Sequence, residues 1–188
     1  MKFLITGASG LIGKNLLDKL LKKDVEINIL TTSKNLKSNN KKVKKFYWNP
    51  EKEIIDSSSI LGVSVVINLA GSPIAQLWTK NAKRSILNSR IKSVELLNKI
   101  ILEKNVKIDQ FLCASAIGIY QSSTSLKHDE NSKNISNSFL GNPVKKWESS
   151  CDRLSKNDIK ITYLRIGLVL SKKGGLLKPI LNSINFYM

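Results

Sequence analysis

Gly7-Ala8-Ser9-Gly10-Leu11-Ile12-Gly13 follows directly on the apolar run Phe3-Leu4-Ile5. It opens a stretch of helical periodicity, Leu11 to Lys23, in which Leu16, Leu17, Leu20 and Leu21 share one face. Each of the three glycines has a separate task between strand and helix. Gly7 permits the tight turn out of the strand. Gly10 lets the backbone approach a pyrophosphate with no Cβ in the way. Gly13 lets the helix pack close to the sheet. The backbone of Ser9, Gly10, Leu11 and Ile12 would then offer N–H donors at the positive end of the helix dipole. A glycine triplet alone is a weak signal. A strand before it and a helix after it make it a phosphate-binding turn for a dinucleotide.

Outward from this turn, short β-type runs alternate with helical stretches, the pattern of a parallel α/β protein. Val25 to Thr31 reads as a second strand, followed by a polar, basic loop over 32–45. Phe46-Tyr47-Trp48 reads as a third strand, stopped by Asn49-Pro50. Val63 to Leu69 is a buried fourth strand. A long helix spans Thr79 to Glu103, with an apolar stripe of Ala82, Ile86, Val94, Leu97 and Ile101. Ile108 to Ala114 is the fifth strand, and the Ser- and Asn-rich stretch 121–138 is a loop. Asn142-Pro143 reads as N-cap and first position of a helix lined by Val144, Trp147, Cys151 and Leu154. Ile159 to Ile166 is the sixth strand. The expected architecture is a doubly wound, Rossmann-like parallel sheet of order 3-2-1-4-5-6 in three α/β/α layers. Residues 1–170 form the dinucleotide-binding domain and 171–188 begin a substrate-binding subdomain.

The end of the second strand decides the cofactor. An acid there would hold the ribose 2′-OH of NAD. This chain reads Leu30-Thr31-Thr32-Ser33-Lys34, without a carboxylate. Thr31, Ser33 and Lys34 suit a 2′-phosphate, which favours NADP(H) over NAD(H).

Composition narrows the alternatives. The 188 residues suit one domain, and the net charge is +17, from 31 Lys+Arg against 14 Asp+Glu. Only Arg84, Arg90, Arg153 and Arg165 of these are arginines; the lysines are spread along the chain. Specific nucleic-acid binding favours arginine forks and interleaved aromatics, so a solvated lysine surface is the better reading. No apolar run approaches the roughly 20 residues of a membrane helix. The N-terminal apolar stretch is too short for a signal peptide, which places the chain in the cytoplasm. Cys113, Cys151 and the single His128 form no metal-ligand spacing, and the cysteines read as small buried hydrophobes.

The spacing G-x-x-G-x-x-G after Thr6 resembles the extended short-chain dehydrogenase/reductase superfamily, in its NAD-dependent epimerase/dehydratase group. Further stretches resemble the narrower, uncharacterised epimerase family oxidoreductases, some of which carry a cell division inhibitor label. These are Ile67-Asn68-Leu69-Ala70-Gly71-Ser72-Pro73-Ile74, Trp78-Thr79 through Ser89-Arg90, and Ala114-Ser115-Ala116-Ile117-Gly118-Ile119-Tyr120. Trp147-Glu148 and Leu164-Arg165-Ile166-Gly167-Leu168-Val169-Leu170 continue the likeness. The resemblance implies that Asn68, Leu69, Ala70 and Gly71 line the adenine and ribose side of the cofactor. It implies that Ser89 and Arg90 face the pocket, and that Ser115 lies where the superfamily keeps a catalytic Ser or Thr. Counted back from Tyr120, that position falls on Ala116 instead.

The superfamily's tyrosine and lysine, aligned on Trp147-Glu148, fall on Leu140 and Val144. Neither can move a proton. Pro143 would also delay the helix start past Leu140. Candidate replacements are Ser115 and Tyr120, with His128, Asp129 and Glu130 behind them. Family members continue well past Met188, so the substrate pocket would be mostly absent from this chain. The sheet edge and helix faces left uncovered would favour a homodimer. Two functions stay open: an NADP(H)-dependent oxidoreductase or epimerase on a small polar substrate, such as a nucleotide sugar, and a cofactor-binding or regulatory protein without catalysis. Nucleic-acid binding ranks last.

Overall fold

The computed structural model describes residues 1–74, 77, 79–136, 138, 141–154 and 158–186, apart from the side chains of 178, 179, 185 and 186. β1 (Lys2–Thr6), α1 (Leu11–Leu20), β2 (Glu26–Thr31) and β3 (Val43–Asn49) come first. They are followed by β4 (Ile54–Ile55), β5 (Val65–Asn68), α2 (Lys80–Glu103) and β6 (Gln110–Ala116). The chain closes with α3 (Gly141–Asp152), β7 (Lys160–Ile166), a small hairpin of β8 (Leu170–Ser171) and β9 (Gly174–Gly175), and α4 (Leu177–Phe186). The sheet runs β4-β3-β2-β1-β5-β6-β7 and is parallel except for β4. The predicted order 3-2-1-4-5-6 is present with one extra edge strand.

Strand composition follows from burial on both faces. Leu4, Val66 and Phe111 point to the α2/α3 layer, where they pack on Val94, Leu97, Ile100, Trp147 and Leu154. Their neighbours Ile5, Val65 and Ile67 point the other way, with Ile27, Ile29 and Val43, against Leu16, Leu17 and Leu20 of α1. Each fully buried Leu or Ile contributes about 1.5–3 kcal/mol. Among the described residues no helix is long and apolar enough to cross a membrane.

Several boundaries differ from the sequence reading. β3 begins at Val43, inside the expected 32–45 loop, because Val43 pairs in register with Ile27 and is buried there. β4 was not expected: Asn49 caps the turn after it by accepting from Lys52 N, Glu53 takes a left-handed φ of 52°, and Ile54–Ile55 fold back on Asn49 and Trp48. α1 stops at Leu20 rather than Lys23. α3 starts at Gly141, so Asn142 is not its cap and Pro143 sits inside the first turn, where no helical N–H is needed.

The glycine turn is tight. Gly7 has φ +68°, and a Cβ there would lie 2.5 Å from Leu69 O. A Cβ on Gly13 would lie 2.2 Å from Gly7 O. Gly13→Ala therefore forces α1 off the turn. The expected loss is about 1–3 kcal/mol, or roughly 2–4 °C of melting temperature per kcal/mol for a chain of this size. Thermal denaturation followed by circular dichroism reads it, and an unshifted midpoint would mean that α1 does not seat on the turn.

Candidate functional site

The strand order reverses between β1 and β5, and the loops after both open onto one crevice, the usual ligand position in an open α/β sheet. Gly10 caps α1 with extended backbone (φ −72°, ψ 171°) and no side-chain cap, and the first turn holds no acid. The first N–H groups of α1 thus have no side-chain acceptor, the condition under which a helix start can hold an anion. A Cβ on Gly10 would meet only Gly7 O, at 3.3 Å.

A cleft of about 820 Å³ lies beside this turn. Gly7, Ala8 and Ser9 form its floor, with Leu17 and Ile29 beneath. Thr31, Ser33, Asn35, Lys14 and Lys45 line it, as do Ala70, Gly71, Ser72, Ser85 and Ser89. Of the expected cofactor residues, Gly7, Ser9, Thr31, Ser33, Ala70 and Gly71 line the cleft. Gly10, Leu11, Ile12 and Gly13 are not part of its lining. Lys34 is exposed and is not part of the lining.

Asn68 and Arg90 lie behind the cleft wall. Asn68 is fully buried; its Oδ1 accepts from Thr6 Oγ1 (2.6 Å) and its Nδ2 donates to Ser93 Oγ (3.2 Å). Thr6 Oγ1 accepts in turn from Ala70 N (3.0 Å), and Leu69 N donates to Thr6 O (3.3 Å). The Arg90 guanidinium lies over the Trp147 ring at 5.0 Å and donates through Nη1 to Ile86 O (2.8 Å) and Ser72 O (3.2 Å). Burial lowers its pKa. Ser89 Oγ accepts from Ser72 N (2.9 Å). Ser89 reaches the cleft, while Arg90 grips the 70–72 loop from below.

A second polar cluster stands at the C-terminal ends of β6 and β7. Ser115 Oγ donates to Glu148 Oε1 (2.5 Å). Arg165 clamps the same carboxylate through Nε and Nη2, both at 3.0 Å, and donates through Nη1 to Tyr120 Oη (2.8 Å). The Glu148 carboxylate raises the Arg165 pKa. Arg165 also stacks on the Tyr120 ring (5.1 Å), and His128 lies nearly parallel to that ring on a 5.1 Å centroid spacing. His128 Nε2 bonds Gln121 O (2.8 Å). Tyr120 and His128 line a separate cavity of about 830 Å³ together with Ile117, Ser136 and Ser138. Ser115, Tyr120 and His128 are thus brought together, with the Ser115 hydroxyl committed to Glu148. Asp129 and Glu130 are exposed; Ser132 hydrogen-bonds the Asp129 carboxyl and lowers its pKa. Val144 is buried, and Leu140 lies outside the described residues.

Cys113 and Cys151 are both fully buried, with sulfurs 3.1 Å apart. The Cys113 contact and burial push the Cys151 thiol upward. Among the described residues no group of His, Cys, Asp or Glu could hold a metal ion.

The family model for the NAD dependent epimerase/dehydratase family matches residues 3–144. The chain belongs to that family. An epimerase family protein of Staphylococcus aureus (strain MRSA252) is 30% identical over 187 residues, covering 100% of this chain and 61% of the relative. One of Staphylococcus saprophyticus is 31% identical over 189 residues, covering 99% and 61%. This epimerase-family chain therefore spans about three fifths of these curated relatives. Among solved structures, it resembles the human epimerase family protein SDR39U1 (isoform2) with NADPH, with a TM-score of 0.80, 23% identity, 99% of this chain and 60% of that one. It also resembles a UDP-glucuronic acid 4-epimerase from Bacillus cereus in complex with NAD, with a TM-score of 0.76, 24% identity, 97% and 64%. Both likenesses carry the Rossmann-like fold.

The site residues of this epimerase-family chain that escaped the sequence reading include Lys14, Asn35, Lys45, Ser85, Glu148 and Arg165. Glu148 had a visible signal. It falls on the buried stripe of α3 with Val144, Trp147 and Cys151, where a carboxylate needs a partner.

Proposed function

We propose that this chain binds NADP(H) and forms the cofactor half, residues 1–170, of an epimerase-like oxidoreductase acting on a small polar substrate of the nucleotide-sugar class, with 171–188 beginning the substrate-binding part. The observation that carries the reading is the uncapped N-terminus of α1, set beside a cleft with no carboxylate at the end of β2. The acid that does line the cleft, Glu51, is taken up by Lys92 at 2.6 Å. The residues present fit a dinucleotide. The glycine turn and the α1 N–H groups would hold the pyrophosphate, Ala70 and Gly71 would pack on the adenosine, and the hydroxyls of Thr31 and Ser33 would meet the ribose. A bound nicotinamide supplies hydride transfer. The neighbours hold NADPH in the human structure and NAD in the Bacillus cereus epimerase, so they support a nicotinamide cofactor and leave the preference to the residues at the end of β2; the Bacillus cereus epimerase supports a nucleotide-sugar substrate.

The test is fluorescence titration with both reduced cofactors. A charge-assisted contact to the extra phosphate is worth about 1.5–3 kcal/mol, so NADPH should bind roughly 10–100 times more tightly than NADH. Equal affinities would overturn the preference, and no binding would overturn the reading.

A second reading, cofactor binding without catalysis, is favoured by Val144. It puts a buried aliphatic side chain where the superfamily's mechanism keeps an ammonium. Assays of NADPH oxidation and NADP⁺ reduction against nucleotide sugars, aldehydes and quinones separate the two: turnover supports the oxidoreductase, and its absence with tight cofactor binding supports the second.

A further inference from the structure

We infer that Lys14 and Lys45, not Lys34, select the cofactor by holding a phosphomonoester on the adenosine ribose. The inference rests on reading the cleft as an NADP(H) site. Lys45 pairs in register with Ile29 on the neighbouring parallel strand, so both side chains leave the sheet on the same face. Ile29 packs into the cluster under α1. Lys45 is thereby directed to the face that α1 covers, and Lys14, exposed on α1, lines the same cleft. Both line it with Ser33 and Asn35. Lys34, next to Ser33 in sequence, stays outside it.

The electrostatics point the same way. Among the described residues neither Lys14 nor Lys45 is in an ion pair, whereas Lys2, Lys42, Lys92 and Lys99 each have a carboxylate. Lys45 Nζ donates one hydrogen bond to Lys37 O (2.8 Å), which anchors the ammonium and leaves two protons to give. A phosphomonoester carries about −1.5 to −2 charges at neutral pH. One surface lysine leaves it under-neutralised; two ammonium groups lining one cleft match it. The Ser33 hydroxyl adds a neutral donor at the same place.

The experiment is equilibrium binding of NADPH, NADH, adenosine 2′,5′-bisphosphate, adenosine 3′,5′-bisphosphate and AMP to the wild-type chain and to Lys14→Met, Lys45→Met, Lys45→Arg and Lys34→Met. Wild type should prefer the 2′,5′-bisphosphate over AMP by about tenfold or more. Lys14→Met and Lys45→Met should each erase most of that preference, with a much smaller loss of AMP and NADH affinity. Lys45→Arg should keep it, and Lys34→Met should have no effect. Circular dichroism melts accompany every variant. If Lys45→Met unfolds through loss of the Lys37 contact, Lys14→Met and Lys45→Arg still decide. Loss of the preference in Lys34→Met, or its retention in both Lys14→Met and Lys45→Met, overturns the inference while the NADP(H) reading stands. A wild-type preference for the 3′,5′-bisphosphate, or none over AMP, also overturns it. Failure of the wild type to bind NADPH and NADH, with the bisphosphate preference intact and lysine-dependent, overturns the cofactor reading alone.

Discussion

Gly10→Val abolishes dinucleotide binding and leaves the chain folded. The three glycines of the turn are separable by what surrounds them. Gly7 and Gly13 face backbone at 2.5 and 2.2 Å, so side chains there break the turn itself. Gly10 faces only Gly7 O, at 3.3 Å, and its extended backbone suits valine. The branched side chain therefore costs the poorer cap, about 1 kcal/mol, and a shift of a few tenths of an ångström at Gly7 O. It stands instead at the mouth of the α1 N–H cradle, where the pyrophosphate must come within hydrogen-bond reach. Losing two charge-assisted contacts of about 1.5–3 kcal/mol each weakens binding by at least about 100-fold. Cofactor titration and a thermal melt on the same sample read both halves. Undiminished affinity would place the phosphates elsewhere, and an unfolded variant would make Gly10 a packing residue.

Arg165→Met destabilises the chain by about 3 kcal/mol, while Glu148→Gln/Arg165→Met restores much of the loss. Glu148 and Arg165 expose only 10% and 21% of their side chains, and three of the bonds to the carboxylate come from Arg165 and Ser115. Removing the guanidinium strands a buried charge on Ser115 alone, and breaking such a pair costs about 3–5 kcal/mol. The partial exposure of Arg165 sets the lower end of that range. The double variant removes the charge as well, leaving an amide that Ser115 can still hydrogen-bond. At roughly 2–4 °C per kcal/mol, the single variant should melt about 6–12 °C below wild type. A single variant that melts with wild type would show that water already screens the pair.

Most of the fold was legible because the central strands β1, β5 and β6 are apolar on both faces and the helices repeat with their own period. β4 was not, since two residues carry no period and its pairing depends on a left-handed Glu53. The start of β3 was hidden by Lys44 and Lys45, which read as loop by charge although Val43 anchors the strand. That error propagated to the site. A loop has no alternation, so nothing in it directed Lys45 toward the cleft, and proximity in sequence favoured Lys34. Ser89 and Arg90 illustrate the helical counterpart. Neighbours on a helix diverge by about 100°, so one reaches the cleft and the other passes beneath it. The Glu148–Arg165 clamp and the Cys113–Cys151 contact join distant segments, which a single sequence does not pair.

The bond between Thr6 and Asn68, with its extensions to Ala70, Ser93 and the Arg90 helix, ties the two lips of the crevice to each other before any ligand arrives. A lip held this way has little motion left to surrender. The entropy lost on complex formation then falls mainly on the incoming dinucleotide, whose many rotatable bonds must freeze against a surface already set. If the crevice takes the proposed dinucleotide, its affinity follows from how well the ligand conforms to the protein rather than from how far the protein rearranges around the ligand.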